Sequence, residues 1–348
     1  MNALAYAERW GHEEIVILRD APSGLHAIVA LHDTTLGPAI GGTRMREYPS
    51  EEEALLDALR LARAMTYKSA MAGMAYGGGK AVIVGDPARQ KTPRLLTAYA
   101  RAVDRLGGRF HTGTDMGLDG RDIAVMARVT RYASRTPPEC AVESSSLAAL
   151  GVFASIEQAA KVLGRPLRGL HVAVQGLGAV GGKLAALLAE QGARLTVCDV
   201  APARVEEARG RGAQTVAPEK IFDVEADVFS PNAAGGILDE TTIPRLRCRA
   251  VVGGANDQLA DEAAGPALHA RGILYGPDYV VNAGGLISVL LETGALDETA
   301  VVARVRAIGD SVAAIWESSR RQDVPPAGVA DAIVEKRLAA ARAAREET

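Results

Sequence analysis

Apolar positions recur along this chain in two rhythms that alternate from one end to the other. Residues 13–20 (EEIVILRD) and 25–33 (LHAIVALHD) carry the dense β-branched pattern of strands, and the Pro-Ser-Gly between them reads as a hairpin turn. From residue 51 the period lengthens. Leu55, Leu59, Ala62 and Met65 share one helical face, Ser50 with Glu53 makes a capping-box pattern ahead of them, and the helix is expected to end near Lys68. KAVIVGD (80–86) reads as a strand buried on both faces. Residues 92–107 read as an amphipathic helix closed by glycine, and 109–120 as a strand followed by a loop. Prolines in TPPEC (136–140) mark a hinge or linker.

The same alternation continues beyond that linker. A helix is expected over 144–164, then strand, Gly-rich turn, helix and strand over 170–200. Strand signals return at 226–233, 250–257 and 272–285, and the arginine- and alanine-rich tail from about residue 299 reads as helical. Strands alternating with helices predict α/β architecture with parallel pairing. The 348 residues suit two domains, each with its own core.

Composition narrows the function classes. With 48% apolar and 23% charged residues, the chain has the balance of a soluble globular protein. A net charge of −3 offers no basic face for nucleic acid. No apolar run approaches a membrane span, and the first residues do not read as a signal peptide. Cys140, Cys198 and Cys248 are scattered, without CxxC spacing, so neither a disulfide framework nor a metal site is expected and a reducing cytoplasm fits. The six histidines show no metal-ligand spacing, and His111 reads as a structural or supporting residue.

Lysine is scarce: Lys68, Lys80, Lys91, Lys161, Lys183, Lys220 and Lys336 are the full set. Two of them flank the small, apolar run MTYKSAMAGMAYGGGK (65–80). An ammonium among apolar groups loses solvation and is pushed toward its neutral form, the form that works as a general base. Gly77, Gly78 and Gly79 allow close approach of backbone or ligand just before Lys80. The bland alternative is a pair of lysines snorkelling from a helix end and a turn.

Gly176, Gly178 and Gly181, with Ala179 and Val180 between the last two, follow a strand signal and open a helix signal. That is the context of a dinucleotide fingerprint: a tight turn, a close approach to pyrophosphate and close helix–strand packing. Asp199 ends the next strand, placed to accept from the ribose hydroxyls and to repel a 2′-phosphate, so NAD is expected over NADP. Arg204 is expected to face solvent.

GPAIGGTRM (37–45), MTYKSAMAGMAYGGGK (65–80) and TGTDMG (112–117), all ahead of the fingerprint, resemble the leucine, valine, phenylalanine and glutamate dehydrogenase family. The likeness runs from about residue 30 to about residue 290. It implies NAD-linked oxidative deamination of an L-amino acid to a 2-oxo acid and ammonia, by a homo-oligomer. It also implies two α/β domains with a catalytic cleft between them. Residues 1–135, with a C-terminal helix at about 331–348, would form the substrate and oligomerisation domain. Residues 136–330 would form the Rossmann-type NAD-binding domain.

By that resemblance Lys80 is the catalytic lysine, Asp115 the catalytic acid that handles the substrate amine, and Lys68 the partner of the substrate α-carboxylate. Asp115, near the two lysines, is expected to hold a lowered pKa as an ion pair. The backbone at Gly42 and the side chain of Asn256 resemble further carboxylate contacts near the nicotinamide, with Asn282 at the floor of the cofactor cleft. Asn232-Ala233 stands where relatives usually carry Cys-Ala, so Ala233 is the expected cofactor contact and Asn232 a departure. Ile40, Met65, Gly113, Leu286 and Val289 would line the side-chain pocket. Ile40 replaces the lysine of glutamate enzymes, and a second substrate carboxylate would be buried unpaired there. The Gly113/Leu286 pair resembles phenylalanine-preferring members, with leucine, valine and tryptophan as alternatives. A non-catalytic NAD sensor is the rival outside enzymes, and the joint presence of Lys68, Lys80 and Asp115 argues against it.

Overall fold

The computed structural model describes residues 2–133 and 142–346, so the TPPEC hinge and Cys140 lie outside the described residues. The chain divides into two compact units, Met1–Glu139 with Val334–Thr348, and Cys140–Ile333.

The first unit opens with α1 (Ala3–Trp10), a helix the hydrophobic pattern did not announce, capped by Asn2 and closed by Gly11. The hairpin strands follow as β1 (Glu14–Asp20) and β2 (Leu25–Asp33), antiparallel in register Glu14 to Leu31. Next come β3 (Ala39–Arg46), α2 (Glu51–Met71), β4 (Gly77–Val84), α3 (Pro93–Arg105), β5 (Phe110–Thr114) and α4 (Gly120–Met126). The five strands run in the order β1-β2-β4-β3-β5, with β3 parallel to both β4 and β5. One face of this sheet packs Ala81 and Ile83 with Leu95, Tyr99 and Val103 of α3. The other packs Val82 with Ala58, Leu59 and Ala62 of α2.

Two local expectations change. The helix α2 passes beyond Lys68 to Met71, with Ser50 capping Glu53 N–H. The strand β4 begins at Gly77 and ends at Val84, so the triple glycine is strand rather than the approach to one. Helix α2 is the reason: a Cβ at Gly78 would stand 2.1 Å from the backbone nitrogen of Thr66. Glycine there lets helix and sheet meet nearly backbone to backbone.

The second unit holds α5 (Ser144–Val162), β6 (His171–Gln175), α6 (Gly181–Glu190), β7 (Arg194–Cys198), α7 (Pro202–Gly210) and β8 (Gln214–Thr215). It continues with β9 (Val228–Pro231), β10 (Ala250–Val251), α8 (Ala264–Ala270), β11 (Leu274–Tyr275), α9 (Asp278–Val281), α10 (Gly284–Ile287) and α11 (Val289–Glu292). The helical tail is α12 (Glu298–Arg306), α13 (Ile308–Gln322) and α14 (Pro326–Glu346); α14 runs past the unit boundary at Val334. Six parallel strands lie in the order β11-β10-β9-β6-β7-β8. Counted from β6, that is the 3-2-1-4-5-6 order of dinucleotide-binding sheets. The strand signals at 250–257 and 272–285 shrink to two-residue pairings because the chain turns away at Val252 and Gly276. Cys198 and Cys248 are buried free thiols, each pushed up to about 11 by burial. Among the described residues no helix is long and apolar enough to cross a membrane, and no group of His, Cys, Asp and Glu could hold a metal ion.

Candidate functional site

In the first unit the side chains that matter share the α2 face of the sheet. Strand alternation places Lys80 on the same face as Val82, which packs against α2. Lys80 Nζ lies 2.7 Å from Asp115 Oδ2, with the lysine side chain only 7% exposed. Although the run around this lysine is apolar, a carboxylate faces its ammonium and compensates the charge, in the ion pair expected of Asp115. Asp115 follows the end of β5, and its position depends on Gly42 in the neighbouring strand. A Cβ at Gly42 would stand 2.3 Å from the Thr114 carbonyl oxygen and 3.0 Å from the Asp115 Cβ.

The second cation on Asp115 is Arg44 of β3, a residue the sequence reading passed over. Its Nε donates to the same Oδ2 at 3.0 Å. Burial works to raise the Asp115 carboxyl, but Lys80 and then Arg44 outweigh it and hold the group down at about 2. The expected lowering is present, with arginine as the second cation.

Lys68 occupies the last turn of α2, one turn beyond Met65, half-buried like it. Next to it, the Tyr67 hydroxyl meets Glu335 of α14 and Arg63, while Arg337 donates to the Ala70 carbonyl at 2.9 Å. The end of α2 that carries Lys68 is thus tied down by the C-terminal helix. Ile40 is 4% exposed, and Gly113 pairs with Gly42 across β3 and β5. A Cβ at Gly113 would meet nothing within 4 Å, so this position borders open space. His111 sits edge-on between the rings of Tyr76 and Tyr132, 6.0 and 5.3 Å away, a packing role.

In the second unit the turn after β6 has the geometry expected of the fingerprint. Gly176 adopts φ +84°, and a Cβ there would stand 2.8 Å from the Cβ of Ala233, which follows β9. Gly181 opens α6 so close to β6 that a Cβ would lie 2.0 Å from the Gly176 carbonyl oxygen. Gly178 faces open space, as an approaching pyrophosphate requires, and exposed Ala179 and half-buried Val180 complete the turn. Asp199 accepts the Leu177 N–H at 2.6 Å and the Ala201 N–H at 2.8 Å. Arg204 does not simply face solvent: its Nη1 lies 3.6 Å from Asp199 Oδ2.

Asn232 is built into this unit. Its Oδ1 accepts the Gly254 N–H at 2.9 Å and its Nδ2 donates to the Ser230 carbonyl at 2.9 Å. Asn282 donates to the Gly254 carbonyl at 3.2 Å and to Asn256 Oδ1 at 2.8 Å. The Asn282 Oδ1 is buried with no hydrogen-bond partner. Leu286 and Val289, on α10 and α11, are both buried. An open glycine at the turn and an unsatisfied buried carboxamide oxygen suit a dinucleotide.

Comparison with known proteins agrees with this geometry. Residues 12–132 match the family model "Glu/Leu/Phe/Val dehydrogenase, dimerisation domain", and residues 197–345 match "Glutamate/Leucine/Phenylalanine/Valine dehydrogenase". The valine dehydrogenase of Streptomyces albus is 44% identical over 99% of this chain and 97% of its own. The phenylalanine dehydrogenase of Thermoactinomyces intermedius is 42% identical over 95% of this chain and 92% of its own. The crystal structure of L-tryptophan dehydrogenase from Nostoc punctiforme superposes with a TM-score of 0.82 at 41% identity, covering 97% of this chain and 99% of that one. Near-equal identities to enzymes of different specificity leave the substrate to the pocket. On fold, site and sequence together, the chain belongs to the glutamate/leucine/phenylalanine/valine dehydrogenase family of pyridine-nucleotide-dependent oxidoreductases acting on CH–NH2 groups.

Proposed function

We propose that the protein catalyses the NAD-dependent, reversible oxidative deamination of an apolar L-amino acid, phenylalanine above others, to its 2-oxo acid and ammonia. The observation that carries the reading is the Lys80–Asp115 pair at 2.7 Å, its lysine buried, set on one sheet face near glycines 42 and 113. A bound dinucleotide would supply the acceptor for the hydride of the substrate Cα. Water then adds to the iminium carbon, and Lys80 Nζ takes the proton of that water and returns one as ammonia leaves. Asp115, kept ionised by Lys80 and Arg44, accepts a hydrogen bond from the substrate amine and passes a proton on without storing it. Lys68 and the backbone at Gly42 hold the α-carboxylate, which fixes Cα for reaction.

Asn256, steadied by Asn282, is assigned to the same carboxylate and to the cofactor. Gly176, Gly178 and Gly181 with Ala233 would hold the pyrophosphate, and Asp199 would select NAD by repelling a 2′-phosphate. Ile40 and Met65 make one wall of the side-chain pocket, and Leu286 and Val289 are assigned to it as well. The open space at Gly113 supports an aromatic side chain over a branched one. The match of the first unit to a dimerisation domain supports a homo-oligomer.

The test is reduced-nicotinamide formation at alkaline pH with L-phenylalanine, leucine, valine, tryptophan and glutamate, each with NAD and with NADP. The highest kcat/KM should fall on phenylalanine with NAD, at least about tenfold above NADP, and glutamate should fail. Turnover of glutamate, or preference for NADP, contradicts the assignment.

A further inference from the structure

Beyond Asp115 the ionic contacts continue. Arg44 Nη1 donates to both oxygens of Asp57 on α2, at 3.2 and 3.0 Å. The Tyr48 hydroxyl donates to Asp57 Oδ2 at 2.7 Å. Arg44 is 14% exposed and Asp57 25%, so solvent screens this network only in part. Lys80, Asp115, Arg44 and Asp57 therefore form one chain of alternating sign, two cations and two anions, drawn from β4, the residue after β5, β3 and α2 in turn.

We propose that Arg44 and Asp57 are positioning residues that set, through Asp115, the pH at which Lys80 gives up its proton, with Tyr48 fixing Asp57 in place. The proposal rests on the reading of Lys80 as the general base. Lys80 and Arg44 share a single oxygen of Asp115, so each cation feels the other directly. A positive charge there disfavours the ammonium of Lys80; a negative charge favours it. Asp57 offsets much of the Arg44 charge. Further charged or titratable groups on these elements include Lys68 and Arg63 on α2, Arg46 on β3, stacked over the Tyr48 ring, His111 on β5, and on β2 Asp33 and His32, the latter engaged by Thr66 and the Trp10 carbonyl. Directly opposite Lys80, β2 presents Ala30.

Charge balance predicts signs that a mere clamp between β3 and α2 does not. Arg44→Gln leaves an uncompensated anion and should move the acid limb of kcat/KM for deamination upward by about one pH unit. Asp57→Asn leaves an uncompensated cation and should move it downward by about half a unit or more. The double variant restores the balance and should bring the limb back toward the wild-type position. Arg44→Lys keeps the charge but loses the fork, so its limb should stay while kcat falls.

The same variants are read without catalysis by the pH dependence of trace acetylation of Lys80 with acetic anhydride, followed by peptide mass spectrometry. Acetylation profiles that move with the predicted signs support the proposal. If they move while the kcat/KM limb does not, the charge network stands and the assignment of Lys80 as base fails. Single variants that shift in the same direction, or a double variant that keeps the full shift, overturn the proposal. Should Arg44→Gln fail to fold, Asp57→Asn decides alone: a downward shift supports, no shift or an upward one overturns.

Discussion

Gly113→Ala separates the substrate reading from the fold. A Cβ at Gly113 would meet no heavy atom within 4 Å, and the residue lies in regular pairing with Gly42. The methyl therefore strains nothing in the free protein, and stability should change by no more than about 1 kcal/mol, in the stabilising direction if at all. The open space it enters is the space assigned to the substrate ring. Crowding a packed site by one methyl costs about 1–3 kcal/mol, and each 1.4 kcal/mol is tenfold in kcat/KM. A shorter branched side chain leaves room for that methyl and escapes most of the penalty. The ratio of kcat/KM for phenylalanine to that for leucine or valine should thus fall by about tenfold or more. Initial rates with the two substrates on one enzyme preparation measure it, and any general damage cancels in the ratio. An unchanged ratio with unchanged stability would remove Gly113 from the pocket and the preference for phenylalanine with it.

Lys68→Ala should raise KM for the amino acid by about tenfold or more while the NAD dissociation constant stays put; equal weakening of both would mean a structural role at the end of α2. Asp199→Ser should narrow the NAD-over-NADP ratio in kcat/KM, since Arg204 at 3.6 Å then loses its countercharge to a 2′-phosphate; an unchanged ratio contradicts the role. His32, buried between Thr66 and the Trp10 carbonyl, is lowered to about 4, first by burial and then by His12. The unfolded chain binds that proton more readily, so stability is fully present above pH 6.5 and is lost as pH falls from there toward 4. The loss amounts to about 3 kcal/mol at most. Denaturant midpoints of wild type and His32→Gln across that window should converge toward low pH; parallel curves would refute it.

How much of this was visible beforehand follows from what is local. The fingerprint glycines, the cap at Ser50 and the hairpin of β1 and β2 depend on neighbours in sequence, and each appears where its pattern places it. The lysine and aspartate of the site were legible through family likeness, because they sit in motifs of fixed spacing. Arg44 was not, although it stands inside GGTRM: its partners Asp57 and Asp115 reach it across a strand-helix-strand crossover and a parallel pairing that no short window contains. The triple glycine was legible as a place of close approach but not as strand: what approaches is the backbone of α2 packing on β4, a tertiary demand. Asn232, legible only as a departure from the Cys-Ala of relatives, braces β9 against the loop at Gly254.

Lys80, paired with Asp115, is proposed as the base of an amino-acid deamination. Phenylalanine-dependent NAD reduction by wild type and by Lys80→Ala, with NADH binding measured on both, tests it most directly. Lys80→Ala should bind NADH as wild type does and lose about 10²–10⁴-fold in kcat. A variant that keeps more than about a tenth of the wild-type kcat would contradict it.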